Sequence, residues 1–356
     1  MSAHDKKMTL PIESVKSDHL LGVTMLRNHI GYACINTTLT TQGVCSNRTL
    51  RLKTLQEKGY EYVAELIMSN LDALQKILEW NAENGYRLYR MSSEMFPFHS
   101  HLEYGYKIEE LPNAHLILAK LREIGRFAQA TQQRLSYHPG PFNVLASSNP
   151  KVIEKTVNEL NCHSHILNLM GFTPSYENKI NIHVGGAYGD KQAALARFCA
   201  NFALLDSHTQ QRLTVENDDR ANLYSVQELY DGVHLNIGIP IVFDYHHYKF
   251  NTGGQTEKEA LLLALSTWPS DVTPVCHYSE SKTLEQGEDK ETPAHSQFIV
   301  GVFDTYEQTF DVVFEAKQKE LAVESFFKAN PEWTLLGKQN EGNLLKTTKV
   351  LKVEPF

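Results

Sequence analysis

Apolar residues in this chain fall into short runs separated by longer stretches of helical spacing. Runs over 29–35, 87–93, 134–138, 180–184, 212–216, 240–245, 274–277 and 310–315 are each too short for a helix and predict strands. Between them, residues such as Leu66, Leu71, Leu74 and Leu78 recur three or four positions apart, so 50–80 predicts one or two amphipathic helices. Helices are likewise predicted over 113–131, 150–170, 190–205, 225–232, 256–267 and 318–327. Asn149 before Pro150 supplies a cap and a first helical turn. The segment 279–305 has no clear period, and 285–292 reads as a solvated polar loop.

Eight strands, each followed by a helix or loop, imply a parallel sheet. No composition break marks a second domain, and the chain holds 356 residues. Eight units in that length predict a single α/β TIM (β/α)8 barrel rather than an open doubly wound sheet. The glycine fingerprint of a dinucleotide site is absent after the first strand. The expected organisation is an extension over 1–28, a barrel over 29–330 and a tail over 331–356.

A net charge of -8 argues against a protein that coats DNA non-specifically. It is compatible with one carboxylate-rich site whose bound cations return positive charge locally. The five cysteines are odd in number and form no CxxC, which indicates a reducing, intracellular compartment. Residues 1–28 hold no apolar run long enough for a signal peptide or membrane span. Nothing points to an obligate protein partner.

The candidate chemistry lies at the strand ends. His138 ends the third strand, His183 the fourth, Glu216 the fifth, Asp244 with His246 and His247 the sixth, His277 the seventh and Glu315 the eighth. In a TIM barrel these ends form one face, which carries the active site. A single histidine so placed is more often structural than a ligand, and the chain has 16. Glu216 and Glu315, however, follow apolar strands, where an unpaired carboxylate would suffer a large desolvation cost. Six such residues in register therefore predict a divalent-metal centre of mixed imidazole and carboxylate character. Two metals about 3.5–4 Å apart are a common solution for phosphodiester cleavage, but this donor set does not separate that reaction from sugar isomerisation.

Several segments resemble the UV damage endonuclease family. They are Gly31-Tyr32-Ala33-Cys34-Ile35-Asn36, Arg90-Met91-Ser92-Ser93-Glu94, Tyr137-His138-Pro139-Gly140 and Asn181-Ile182-His183-Val184-Gly185-Gly186. Val215-Glu216-Asn217-Asp218, Asp244-Tyr245-His246-His247, Cys276-His277-Tyr278-Ser279 and Phe314-Glu315-Ala316-Lys317 complete the series. Their order, one per strand, carries the match. The resemblance implies a DNA repair endonuclease that cuts damaged double-stranded DNA 5′ to an ultraviolet photoproduct. It implies two or three divalent ions, typically Mn2+, with Zn2+ or Mg2+ as alternatives. By position, His101, His138, His183, Glu216, Asp244, His247, His277, His295 and Glu315 match the family's metal site. Glu216, His138, His183 and Glu315 are the expected catalytic set. Glu216 would bridge two metals, His138 and His183 completing one, Asp244, His277 and Glu315 the second, and His247 and His295 a third. Tyr32 and Asn36 match positions near the damaged nucleotides.

Two departures stand out. After His-Pro-Gly the family commonly has Gln and an aromatic, whereas this chain has Pro141 and Phe142; Phe142 keeps the capacity to wedge between bases. Two residues before His277 the family typically has a lysine, and here it is Val275. Lys191, after the tight turn Gly185-Gly186, and Lys317 are candidate phosphate contacts. An abasic-site endonuclease of the endonuclease IV type and a non-catalytic lesion-binding protein are the alternative readings.

Overall fold

In the computed structural model, residues 30–331 are described. The expected extension over 1–28 lies outside them, as does all but the first residue of the expected tail. The strands are β1 (Ile30–Cys34), β2 (Leu88–Met91), β3 (Arg134–Ser136), β4 (Ile180–Ile182), β5 (Leu213–Glu216), β6 (Ile241–Asp244), β7 (Val275–Tyr278) and β8 (Asp311–Phe314). All pair in parallel, in the order β3-β2-β1-β8-β7-β6-β5-β4. A parallel bridge between Tyr137 and Ile180 joins the two ends, with Tyr137 N donating to Lys179 O at 3.0 Å and Asn181 N to Tyr137 O at 2.9 Å. The result is an eight-stranded TIM barrel.

The outer ring is built by α1 (Leu52–Glu83), α2 (Ala114–Ala130), α3 (Pro150–Leu169), α4 (Lys191–Phe202), α5 (Tyr245–Phe250), α6 (Glu257–Ser266) and α7 (Glu320–Ala329). The uncertainty over 50–80 resolves at Gly59, whose φ of 70° and ψ of -169° break α1 into two helical segments. Its long segment buries Val63, Ile67, Leu71, Leu74 and Leu78 against the barrel. Each such side chain contributes about 1.5–3 kcal/mol of transfer free energy. Asn149 caps α3 as predicted, its side chain accepting from Lys151 N, with Pro150 in the first turn. The helix predicted over 225–232 is instead Val226–Leu229 running into a π-turn, Tyr230–His234.

Strand alternation sorts two cores. Tyr32, in register with Tyr89 and Phe314, points out towards the helices. Ala33, Leu88, Val242, Val275 and Val313 point in and form a separate apolar cluster with Trp268 and Val272. Two residues further along the same faces stand Arg90, Asp244, His277 and Glu315. One step along the pleat thus converts an apolar plug into a polar layer at the C-terminal ends of the strands. Among the described residues, no helix is long and apolar enough to cross a membrane.

Candidate metal centre at the barrel mouth

Glu216 is the last residue of β5 and is fully buried. His138 Nε2 lies 3.2 Å from its Oε2, and His277 Nδ1 lies 3.0 Å from the same oxygen. Its Oε1 faces His247 Nδ1 at 3.3 Å and His183 Nε2 at 3.9 Å. Asn181, two residues before His183 and so on the same face, donates Nδ2 to Oε2. Thr214 Oγ1 donates to Asn181 Oδ1 at 2.8 Å, which orients that amide.

The donor atoms form two groups that share Glu216. His138, Glu216, His277 and Glu315 offer ligand atoms within 4.8 Å of one another, and so do His183, Glu216 and His247. This sorting differs from the expected one, in which His138 and His183 completed the same metal and His277 belonged to another. Several buried atoms in the cluster make no hydrogen bond: Glu216 Oε1, both ring nitrogens of His277, and Asp244 Oδ2. Such atoms are costly to bury unless something else satisfies them. Close approach without hydrogen-bond alignment is what lone pairs aimed at a common third body produce. The residues therefore fit a cation.

At the end of the sixth strand the two histidines turn to different sides, and it is His247 that faces Glu216. β6 ends at Asp244, whose Oδ1 accepts from His247 N at 2.7 Å and caps α5. Helical spacing then turns His247 to the side of Asp244, and its Nδ1 also lies 2.9 Å from Asn217 O. His246 points instead to Phe250 and His295, with ring centroids 5.2 and 5.5 Å away.

Proton states differ across the cluster. Burial would raise Glu216, but His277, His183, His138 and His247 together hold its carboxyl well below the usual range. Glu315 is held low against burial by Arg90, with which it forms a partly buried ion pair, and by His277. Burial pushes Asp244 up to about 6. It pushes His138 down to about 4 and also lowers His277. Burial opposes protonation at His183 too, yet Glu216 and Asp218 lift it to about 9; Asp218 Oδ1 lies 3.1 Å from its Nδ1. His247 is raised by Asp244 and Glu216 despite its burial.

The remaining predicted residues lie elsewhere. His295 sits at the cluster's edge, 6.3 Å ring to ring from His247. His101 is outside both groups; its ring contacts Phe98 and Tyr104, and its Nδ1 accepts from Glu103 N and Tyr104 N, both at 3.1 Å. Tyr32 and Asn36 do not face the mouth as expected of DNA contacts. Tyr32 donates its hydroxyl to Asn81 of α1 at 2.6 Å, and Asn36 donates to that hydroxyl and caps a short helix. Both are buried, because strand alternation turns Tyr32 outward beneath α1. Lys191 is engaged with Glu228 at 2.7 Å and Ala221 O at 3.1 Å, while Lys317 is exposed. Phe142 is 88% exposed.

Arg90, Asn181 and Asp218 were not singled out from sequence, although alternation back from His183 marks Asn181. Lys179 was also missed. It is fully buried in the barrel, its Nζ has no hydrogen-bond partner, and burial pushes it down to about 7.

An eight-stranded parallel barrel whose mouth gathers histidines and carboxylates defines the class as a TIM barrel with a candidate metal centre. The family model described as UV-endonuclease UvdE matches residues 28–340, and the chain belongs to that family. It is 34% identical over 307 residues to a UV-damage endonuclease of Schizosaccharomyces pombe, covering 83% of this chain and 50% of that one. It is 31% identical over 280 residues to a UV DNA damage endonuclease of Bacillus mycoides, covering 76% of this chain and 84% of that one. The chain thus spans half the length of the Schizosaccharomyces relative and most of the Bacillus one. The crystal structure of SacUVDE superposes with a TM-score of 0.73 at 30% identity, covering 86% of this chain and 99% of that one. Endonuclease IV from Thermus thermophilus, at 13% identity and a TM-score of 0.50, shares the fold.

Proposed function

We propose that this protein hydrolyses the phosphodiester bond 5′ to ultraviolet photoproducts in double-stranded DNA, using divalent cations held at the barrel mouth. The observation that carries this reading is Glu216, a buried carboxylate shared by two sets of ligand atoms, with Oε1 left unsatisfied by hydrogen bonds. The family's UV-endonuclease names supply the reaction class.

His138, His277, Glu315 and Glu216 would hold one cation; His183, His247 and Glu216 would hold another, with Asp244 beside them. A third cation would be held by His247 and His295, whose rings are 6.3 Å apart. The mixed imidazole and carboxylate set suits manganese, and zinc or magnesium are the alternatives to compare. Divalent cations supply Lewis acidity towards phosphate oxygens and lower the pKa of the attacking water.

The chain's own residues prepare that chemistry. Asn181 and Arg90 orient Glu216 and Glu315, and Asp218 fixes the ring of His183, in the manner of groups that steer ligands from behind. Phe142, 88% exposed, would wedge at the lesion, and Lys317, exposed beside Glu315, would meet a phosphate. A photoproduct weakens stacking and lowers the cost of opening the duplex, which favours damaged over intact sites. Free thiols at Cys34, Cys45, Cys162, Cys199 and Cys276 suit a reducing intracellular compartment.

The test is incision of an irradiated duplex with Mn2+, run beside an abasic duplex and repeated with Glu216→Ala. The expected result is nicking 5′ to photoproducts that the substitution abolishes. Nicking of abasic sites alone, or tight binding without cleavage under any divalent ion, would overturn this reading.

A further inference from the structure

The loops that follow β3 and β4 each project a large aromatic residue, Phe142 at 88% and Tyr188 at 56% exposure. Phe142 has a place in the reading above, and Tyr188 has none. Three features set it apart.

Tyr188 has a left-handed backbone, with φ of 51°, between Gly185 at 92° and Gly189 at 80°. A bulky L-residue occupies that region only where its surroundings hold it there. The ring rests against Gly186, where a Cβ would lie 3.3 Å from Tyr188 Cζ. The Arg197 guanidinium lies 5.5 Å from the ring centroid, and Arg197 Nε donates to Ala146 O at 2.9 Å. Arg197 therefore ties Tyr188 to the loop that carries Phe142. The same two loops interlock, since a Cβ on Gly185 would come within 2.5 Å of Val144 Cγ1.

Neither neighbouring element is terminated by Tyr188. Asp190 caps α4 by accepting from Ala193 N, and the strand has already ended at Ile182. A strained, cation-backed and half-exposed ring, five residues beyond His183, is a preorganised stacking platform. Base–aromatic stacking tolerates any sequence because every base has a π-face, and a guanidinium at the ring adds a cation–π contribution.

We propose that Tyr188 is a second lesion-contacting residue, stacking on a base that a photoproduct has released from the duplex, while Phe142 on the interlocked loop holds the gap. This rests on the nuclease reading. Tyr188 positions the DNA and does not touch the reacting phosphate.

The experiment uses the full chain with Mn2+ and a duplex carrying one thymine photoproduct, with 2-aminopurine opposite the lesion. Tyr188→Ala is expected to raise KM about tenfold or more, the scale of one lost base stack. The rise in KM should exceed any fall in kcat, and the 2-aminopurine fluorescence increase on binding should shrink. Tyr188→Phe keeps the ring and should recover both readouts. Gly186→Ala leaves the tyrosine in the chain but crowds its ring, a Cβ lying 3.3 Å from Tyr188 Cζ, and should give a weaker form of the alanine phenotype. An unchanged KM and fluorescence response in Tyr188→Ala, with the wild type active, would overturn the proposal alone. A wild type that neither binds nor cuts the duplex would overturn the nuclease reading and this proposal with it.

Discussion

The two sides of Glu216 are built from the same residue types and hold opposite proton states. On one side His138 and His277 are driven towards the neutral form by burial, and Glu315 is already matched by Arg90. On the other, His183 is lifted to about 9 and His247 is raised as well, because Glu216 is joined there by Asp218 and Asp244. The first side is prepared to donate lone pairs at neutral pH. The second is filled by protons that a cation must displace. Position in the barrel therefore decides the state of an imidazole more than its identity does.

Removing what the two sides share should have the largest effect. Glu216→Ala is expected to cost about a thousandfold in incision rate, the upper end of the scale for losing one group that stabilises charge at a transition state. It should also lower the stoichiometry of bound Mn2+ measured by calorimetry. Loss of a single ion with activity retained would mean that the sides are independent.

Next in size is the partly buried pair on the neutral side. Arg90→Met leaves Glu315 facing only His277, and because both side chains of the pair are 13% exposed the loss should fall below the roughly 3–5 kcal/mol of breaking a fully buried pair. Denaturation of the metal-free protein should show this loss, and added Mn2+ should recover part of it. Equal losses with and without the ion would indicate that Glu315 takes no part in binding it.

The protonated side should appear as a pH dependence. His183 has a folded pKa of about 9 against an ordinary 6.5, so its protonated form contributes stability that is fully present below 6.5. That contribution is lost as pH rises through 9. The melting temperature of metal-free protein should therefore fall across this window. The apparent cation affinity should rise over it, by about tenfold per pH unit for each proton displaced. Affinity that stays flat from pH 6.5 to 9 would count against the asymmetry.

The smallest effect is expected at His101, which lies outside both ligand groups. His101→Ala should change Mn2+ affinity less than about twofold, well below the 10–100-fold range seen when groups that orient ligands are removed. A loss comparable to that of His247→Ala would place it in the centre after all.

Much of this was legible in the chain. The strand count, the parallel order and the clustering of His138, His183, Glu216, His277 and Glu315 follow from eight short apolar runs, six of which end in a ligand-type residue. What was not legible depends on side-chain direction and on pairs distant in sequence. The family resemblance sets Tyr32 near the damaged nucleotides, but the pleat turns it outward beneath α1. Lys191 reads as a free cation until Glu228, 37 positions on, is brought to it. The sorting of His277 with His138 could not be read, because both reach Glu216 across the barrel interior rather than along adjacent strands.

The sequence by itself determined the periodicities, and through them which residues share a face of each strand and where each strand stops. Local sterics and hydrophobic burial act within a few residues, so they are written in the order of the chain. Only the tertiary structure decided which oxygen of Glu216 meets which imidazole, that Arg90 neutralises Glu315, and that His183 holds a proton while His138 does not. Those outcomes depend on distances of three to four ångström between residues far apart in sequence, in an interior where desolvation magnifies every charge, and they exist only once the barrel has closed.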